Sequence, residues 1–187
     1  MRLRPSLPSL LLLLLAALPA AASDGWDALA EPGTHAIMRH ARAPGTGDPA
    51  AFSLGDCSTQ RNLDETGRTQ ARQTGAAMRE RGIVFSAVLT SQWCRAAETA
   101  KLMDIGTVTE EPLLNSFFGD RADEPQQTAG LTERLRAFGA SDKAMLVTHQ
   151  VNITALTGIF PQSGEIIVIA VGEDGRIYVR GRIMPEG

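Results

Sequence analysis

The chain has 187 residues, a formal net charge of −3, three histidines and two cysteines. This length fits one domain with its own hydrophobic core. A mildly acidic chain with scattered positive charge argues against a nucleic-acid partner, because nucleic acids call for a clustered positive face. Neither cysteine lies in a CxxC pair, which argues against a structural zinc site.

Residues 1–22 have the pattern of a cleaved export signal. Two arginines precede an apolar run from Leu10 to Leu18, and three alanines ending at Ala22 provide a small-residue cleavage site. We predict cleavage after Ala22, which leaves a domain of residues 23–187 with a net charge of −5. The apolar run is too short to span a bilayer. We therefore expect a soluble periplasmic or secreted protein without stable membrane insertion; the alternative is an uncleaved amphipathic anchor.

The two cysteines, Cys57 and Cys94, favour a disulfide, because exported proteins fold in oxidising compartments. The alternative is a pair of buried thiols. Residues 23–33 are expected to lead into the first strand without chemistry of their own.

The first predicted strand ends in an Arg-His pair. A short apolar run over 36–38 precedes Arg39 and His40, and a Pro-Gly turn follows. In open α/β sheets ligands bind beyond the carboxyl ends of the strands. An imidazole beside a guanidinium at such a position indicates a nucleophile next to an anion-binding group. The alternative is a histidine with a structural role.

The rest of the chain alternates between predicted helices and strands. The predicted helices lie near 64–81, from about 95, near 129–138 and near 151–157, and the strands near 87–90, 108, 144–149, 165–171 and 177–183. This alternation predicts an α/β fold, a single-domain three-layer α/β/α sandwich with a mostly parallel central sheet. The loops 41–61 and 104–128 are long, so we expect them to form walls of a site.

Two more polar side chains follow predicted strands. His149 ends one of them, and Arg95 lies near a helix N-terminus, where a cation is unfavourable unless an anion binds there. The alternative for Arg95 is a pair with Glu98 or exposure to solvent. Because the carboxyl ends of parallel strands meet at one edge of the sheet, we expect these two residues to converge with Arg39 and His40 on one dianionic group.

Three ordered motifs resemble those of the histidine phosphatase (phosphoglycerate mutase-like) superfamily. They are Arg39-His40, Ser91-Gln-Trp-Cys-Arg-Ala-Ala-Glu-Thr-Ala100 and Val147-Thr-His149, and the segment Leu63-Asp-Glu-Thr-Gly-Arg-Thr-Gln-Ala71 also resembles the family's first helix. The resemblance covers essentially all of residues 23–187 and implies a phosphoglycerate mutase-like fold.

The resemblance also implies roles for these residues. His40 would attack phosphorus and become transiently phosphorylated, while Arg39, Arg95 and His149 would hold the phosphoryl oxygens. A neutral imidazole is a competent nucleophile near pH 7, and preorganised cations stabilise the charge of the transferring group. We expect neither a metal nor another cofactor, because the guanidinium groups would neutralise that charge.

Two departures from the family pattern concern the pocket wall and the general acid. Many relatives have Gly after the Arg-His pair and Asn a few residues later; here Ala41 and Arg42 follow, and we expect Arg42 to contribute charge to the wall. The Glu that many relatives use as general acid should fall between Leu113 and Asp120, where this chain has Asn115 and Ser116.

Asp120 is therefore the predicted acid and Glu111 the second candidate; the alternative is that both are solvated loop carboxylates. A substrate with a good leaving group, such as phosphohistidine or an acyl phosphate, needs no strong acid. In the same picture a bond between Cys57 and Cys94 would join two walls of the pocket.

The resulting hypothesis is an exported phosphomonoesterase that acts on a small phosphorylated substrate. Relatives in the bacterial envelope point to a phosphorylated envelope sugar, and the basic residues Arg42, Arg61 and Arg121 near the expected mouth favour an acidic small molecule. The alternative is a non-catalytic envelope protein that binds a phosphorylated ligand in the same pocket. The sequence leaves the oligomeric state open.

Overall fold

The computed structural model describes residues 25–184. The predicted export signal and its cleavage site, residues 1–22, lie outside the described residues. No helix in the described part of the chain is long and apolar enough to cross a membrane.

A six-stranded sheet forms the centre of the domain. Its strands are β1 (Thr34–Arg39), β2 (Ala87–Thr90), β3 (Val108–Glu110), β4 (Ala144–Thr148), β5 (Ile166–Val171) and β6 (Ile177–Ile183). Their order is β3-β2-β4-β1-β5-β6. The first four are parallel neighbours, whereas β5 runs antiparallel to both β1 and β6. The prediction of a mostly parallel sheet is confirmed.

Helices cover both faces of this sheet. They are α1 (Gly25–Ala30), α2 (Glu65–Glu80), α3 (Cys94–Met103), α4 (Glu124–Arg136) and α5 (Gln150–Thr157). Successive residues of β1 face opposite layers, as the period of a strand requires. Met38 packs in the cluster with α1, α2 and α3, and Ile37 packs in the cluster with α4 and α5. The predicted three-layer sandwich is confirmed.

The loop that follows β1 crosses closely over the first turn of α2. A Cβ at Gly67 would lie 2.1 Å from the carbonyl oxygen of Arg42, so only glycine permits this approach. Asp64 begins α2 by accepting a hydrogen bond from the amide of Gly67. The glycine and the capping residue together fix the loop that forms one wall of the site.

Two helices differ from the sequence prediction. The segment expected to lead into β1 contains α1, which starts at Gly25, packed against the carbonyl of Arg182. Helix α4 begins at Glu124, five residues before the predicted start. Its first turn contains Pro125 and polar residues, so hydrophobic periodicity could not reveal it, although proline is well tolerated in a first helical turn.

Candidate functional site: a buried histidine pair with arginines

The carboxyl ends of the parallel strands bring the predicted site residues together. His40 directly follows β1, His149 directly follows β4, and Arg95 is the second residue of α3. The amide of His40 continues the sheet by donating to the carbonyl of Thr148 at 2.9 Å. His40, Arg95 and His149 are only 2–3 % exposed. The structure therefore places these three side chains, with Arg39, around one pocket.

The hydrogen bonds of His40 define which ring nitrogen carries the lone pair. Its Nδ1 lies 2.8 Å from the carbonyl oxygen of Ala41, which can only accept, so Nδ1 carries the proton. Its Nε2 accepts from the Nε of Arg95 at 3.2 Å. Burial first, and then the charges of Arg95, Arg39 and Arg61, lower the pKa of His40 to about 3. The imidazole is therefore neutral at physiological pH, with a lone pair on Nε2.

His149 is oriented by a chain of polar groups behind it. Its Nδ1 accepts from Arg95 at 3.4 Å, so its Nε2 donates to the hydroxyl of Ser91 at 2.8 Å. Ser91 in turn donates to the Oδ1 of Asn115 at 3.2 Å. Burial first, followed by the charges of His40 and the arginines, lowers the pKa of His149 well below its usual value. The chain of donors and acceptors fixes the ring orientation, with Nδ1 toward the guanidinium.

Asp48 is a site residue that the sequence reasoning missed. Its two carboxylate oxygens accept from Nη1 and Nη2 of Arg95 at 2.7 and 3.1 Å, and one of them also accepts from the indole nitrogen of Trp93 at 3.0 Å. Burial would raise the pKa of Asp48, but the hydrogen bonds and charge of Arg95 outweigh it, so this pKa is lowered. The residue lies in the loop 41–61, which was predicted to be a wall, but nothing local in the sequence indicates its pairing with Arg95.

Two further arginines complete the positive lining of a cavity of about 80 Å³. Arg39 donates to the carbonyl of Pro161 at 3.0 Å, and its buried Nε has no hydrogen-bond partner within the described structure. Arg61 donates to the carbonyls of Gly47 and Ala43. Burial first, and then the charge of Arg95, lower the pKa of both side chains. Converging guanidinium groups with a free buried donor form a site for a compact anion.

Other predicted site residues lie outside this cavity. Arg42 pairs with Asp64 at 3.2 Å, at the start of α2, and its side chain is half exposed. It is held there because its carbonyl packs against Gly67. The structure therefore does not bring Arg42 to the pocket lining.

The two predicted acids also lie elsewhere. The carboxylate of Asp120 is exposed and accepts from the amide of Ala122 at 2.9 Å. Glu111 accepts from the amide of Leu113 and lies 3.7 Å from Arg134. Of the carboxylates in residues 25–184, Asp48 alone lines the cavity of His40, and it is bound to Arg95.

Asn115 occupies part of the segment in which a glutamate was expected. Its Oδ1 accepts from Ser91 and from the amide of Gln92, and its Nδ2 donates to the side chain of Gln92 at 2.8 Å. Asn115 therefore serves the orientation of His149 and has no proton to supply to a leaving group. Ser116, the next residue, lines the cavity.

The predicted pairing of Cys57 with Cys94 is present. The disulfide joins Cα atoms 5.7 Å apart and connects the loop 41–61 to the first residue of α3. The side chain of Gln60 reinforces the junction by accepting from the amide of Cys94 at 2.9 Å. The disulfide therefore connects the loop that carries Asp48 to the helix that carries Arg95.

No group of three or more His, Cys, Asp or Glu side chains with a metal-binding arrangement occurs between residues 25 and 184. His35, the remaining histidine, is buried away from the pocket, where its Nδ1 accepts from the amide of Ala144 at 3.1 Å.

Comparison with known proteins identifies the fold and the family motif. Residues 36–143 match the model of the histidine phosphatase superfamily, branch 1, a segment that includes His40 and Arg95 and ends before His149. No curated protein sequence matches the chain.

Several solved structures share the fold. The protein histidine phosphatase SixA complexed with tungstate superposes with a TM-score of 0.57 at 18 % identity, over 81 % of this chain and 96 % of that one. A putative alpha-ribazole-5'-P phosphatase from Escherichia coli gives 0.60 at 18 % identity, over 83 % and 97 %. A putative phosphohistidine phosphatase SixA from Agrobacterium tumefaciens gives 0.57 at 17 %, over 83 % and 100 %.

Proposed function

Because the chain belongs to the histidine phosphatase superfamily, branch 1, we propose that it is an exported phosphatase that hydrolyses a small phosphorylated substrate through a phosphohistidine intermediate on His40. Family membership and the phosphatases of the same fold support a phosphatase. The single observation that carries the mechanism is the unprotonated Nε2 of His40, 3.2 Å from the guanidinium of Arg95 in a buried, positively lined cavity.

The first step transfers the phosphoryl group to the enzyme. The lone pair on Nε2 of His40 forms a bond to phosphorus, the bond from phosphorus to the leaving group breaks, and the leaving group departs with that electron pair. Arg95 and Arg39 donate to the equatorial oxygens, and His149 joins them in the tautomer that carries its proton on Nδ1, with Nε2 then accepting from Ser91. The proton on Nδ1 stays in place, and its hydrogen bond to Ala41 stabilises the charge that the ring acquires.

The second step is hydrolysis of the intermediate. Water attacks phosphorus, the bond from phosphorus to Nε2 breaks, and its electron pair returns to the ring. The proton of the attacking water passes to solvent, and inorganic phosphate is released. His40 returns to the neutral form that its low pKa favours.

The carboxylate that lines the cavity of His40 favours substrates whose leaving group departs without a proton. Asp48 is bound by Arg95, and that interaction lowers its pKa, so it is ionised at neutral pH. A phosphorylated imidazole, an acyl phosphate or an aryl phosphate meets this condition better than an alkyl phosphate of a sugar. A solved structure of the same fold carries the name phosphohistidine phosphatase, which agrees with this class of leaving group.

Export is supported by two features. Residues 1–22 have the composition of a signal peptide, and the disulfide between Cys57 and Cys94 is a bond of oxidising compartments. N-terminal sequencing of the protein recovered from the periplasm or medium tests this, with Ser23 expected as the first residue. An intact Met1 in a membrane fraction would contradict it.

Turnover of a generic aryl phosphate tests the enzymatic proposal. The wild-type protein should release phosphate in the presence of a chelator, and the His40→Asn variant should not. Quenching in alkali should retain label from a ³²P-labelled substrate on the wild type, because phosphohistidine survives alkali and decays in acid. A folded wild type that binds phosphate without turnover of any substrate would support the non-catalytic binding protein instead.

A further inference from the structure

A second cavity adjoins the pocket of His40. It has a volume of about 370 Å³, in the range of roughly 300–1,000 Å³ that is common for small-molecule sites. Three residues line both cavities: Asp48, Ser116 and Phe118. A phosphoryl group bound at His40 would therefore direct its leaving group toward this second cavity, which we call the outer groove.

Aromatic side chains line the outer groove. The rings of Phe52 and Trp93 are stacked, with centroids 5.0 Å apart and an interplanar angle of 22°. Phe118 also lines the groove and is 53 % exposed although it is a large apolar residue. The indole of Trp93 is fixed by its hydrogen bond to Asp48 and lies edge-on to His149 at 5.5 Å. A rigid aromatic wall that adjoins the reaction centre suits a flat ring.

The charges of the outer groove are opposite to those of the inner pocket. Arg39, Arg61 and Arg95 line the inner pocket, whereas Asp120 and Asp123 line the outer groove. The neighbouring Arg121 does not cancel this charge, because it pairs with Glu124 at 2.9 Å. A second anionic group on the substrate would be repelled there, whereas a cation would gain from the carboxylates and from the aromatic faces.

From this arrangement we propose that the outer groove is the leaving-group subsite and that it selects a ring-bearing leaving group with a positive charge. The substrate class is a phosphorylated aromatic or heterocyclic compound whose leaving group also carries a cationic amine. Its phosphoryl group would lie among the arginines and its cation beside Phe118 and Asp123. The inference extends the proposed phosphatase function by naming the chemistry of the group released.

Binding of two matched non-hydrolysable ligands tests the groove independently of turnover. The ligands are benzylphosphonates that carry either a para trimethylammonio group or a para tert-butyl group, which have the same shape and differ in charge. Calorimetry at pH 8 with wild-type protein should give a roughly tenfold lower Kd for the cationic ligand, the size expected of a cation near an aromatic face and a carboxylate.

Three variants locate the origin of that preference. Asp123 makes no capping hydrogen bond to α4, so Asp123→Asn removes charge at little structural cost. Phe118→Leu removes the aromatic face and keeps an apolar side chain. Both should reduce the preference at least about threefold. Glu80→Gln, an exposed change of equal charge at the end of α2, should leave it unaltered.

Equal Kd values for the two ligands in the wild type would overturn the proposal, as would a preference that survives both groove variants. These outcomes are separate from the test of the phosphatase. A selective groove in a protein that hydrolyses no phosphate would retain the groove as a cation-selective site for a phosphorylated ring compound and reject the proposed function. Turnover of aryl phosphates without charge selectivity would do the reverse.

Discussion

The guanidinium of Arg95 donates to the Nε2 of His40 across 3.2 Å, so the buried cation contacts the one ring nitrogen of His40 that carries a lone pair. Its Nη1 and Nη2 are held at the same time by Asp48, and Nη2 also reaches His149. The planar fork of an arginine can serve three partners in fixed directions, which the single ammonium of a lysine cannot do.

Arg95→Lys should therefore lower kcat/KM on an aryl phosphate about 100- to 1,000-fold, the usual cost of losing one preorganised donor to a transferring group. Arg42→Lys is the matched control, because Arg42 pairs with Asp64 outside the pocket and should retain nearly full activity. Steady-state kinetics on both variants, with circular dichroism to confirm folding, measure the difference. Comparable losses in the two variants would show that the pocket is misassigned.

Asp48→Asn should destabilise the protein and increase the rise in Tm that phosphate causes. The pair with Arg95 is mostly buried, and removal of one partner leaves an uncompensated cation, which costs about 3 kcal/mol. In the variant, phosphate can bind the donors of Arg95 that Asp48 occupies in the wild type. The rise in Tm caused by about 10 mM phosphate should therefore be larger for the variant than for the wild type.

Thermal unfolding with and without phosphate measures this effect, and Glu80→Gln is the control, since Glu80 is exposed at the end of α2 and lines neither cavity. An equal phosphate shift in Asp48→Asn and the wild type would mean that Asp48 does not compete for the anion-binding donors of Arg95.

The residues that sequence reasoning located are those attached to regular structure. His40 and His149 directly follow strands of the parallel sheet, and Arg95 lies in the first turn of the helix that follows β2. The strand topology alone therefore predicts that these residues meet at one edge of the sheet. The contacts of Asp48 and Arg61 could not be predicted from the sequence, because both residues lie in the 21-residue loop 41–61, whose path depends on tertiary contacts. Asp120 and Glu111 were chosen by their position in the sequence, and the structure shows local capping for both.

Breaking the disulfide should loosen the wall that carries Asp48. The bond closes a loop with a sequence separation of 37, for which the chain-entropy model gives about 4 kcal/mol. Cys57→Ser should accordingly lower Tm by roughly 10 °C and raise the KM, because the loop is less firmly held to α3. Dithiothreitol should affect the wild type similarly and leave a Cys57→Ser, Cys94→Ser double variant unchanged. Equal melting temperatures for oxidised and reduced wild type would contradict this role.

The low pKa of His40 makes stability depend on pH in one direction. Burial and the nearby arginines hold this pKa at about 3 in the folded chain, against an ordinary 6.5, so between these values the unfolded chain binds a proton that the folded chain lacks. The free energy of unfolding is thus not reduced by His40 above pH 6.5, and it declines as the pH falls from 6.5 toward 3. Each pKa unit corresponds to about 1.4 kcal/mol, so His40 alone accounts for a loss of several kcal/mol.

Urea unfolding at pH 7.0 and at pH 4.5 measures this contribution over an interval in which the carboxylate of Asp48, whose pKa is lowered from its ordinary value, stays ionised in the folded chain. His40→Asn should lose clearly less stability than the wild type between the two pH values. Some dependence should remain, since the pKa of His149 is also lowered and contributes with the same sign. Arg42→Lys should retain the full wild-type dependence. Parallel stability curves for the wild type and His40→Asn would show that His40 is solvated enough to accept a proton, and would remove the physical basis for its neutral, nucleophilic state.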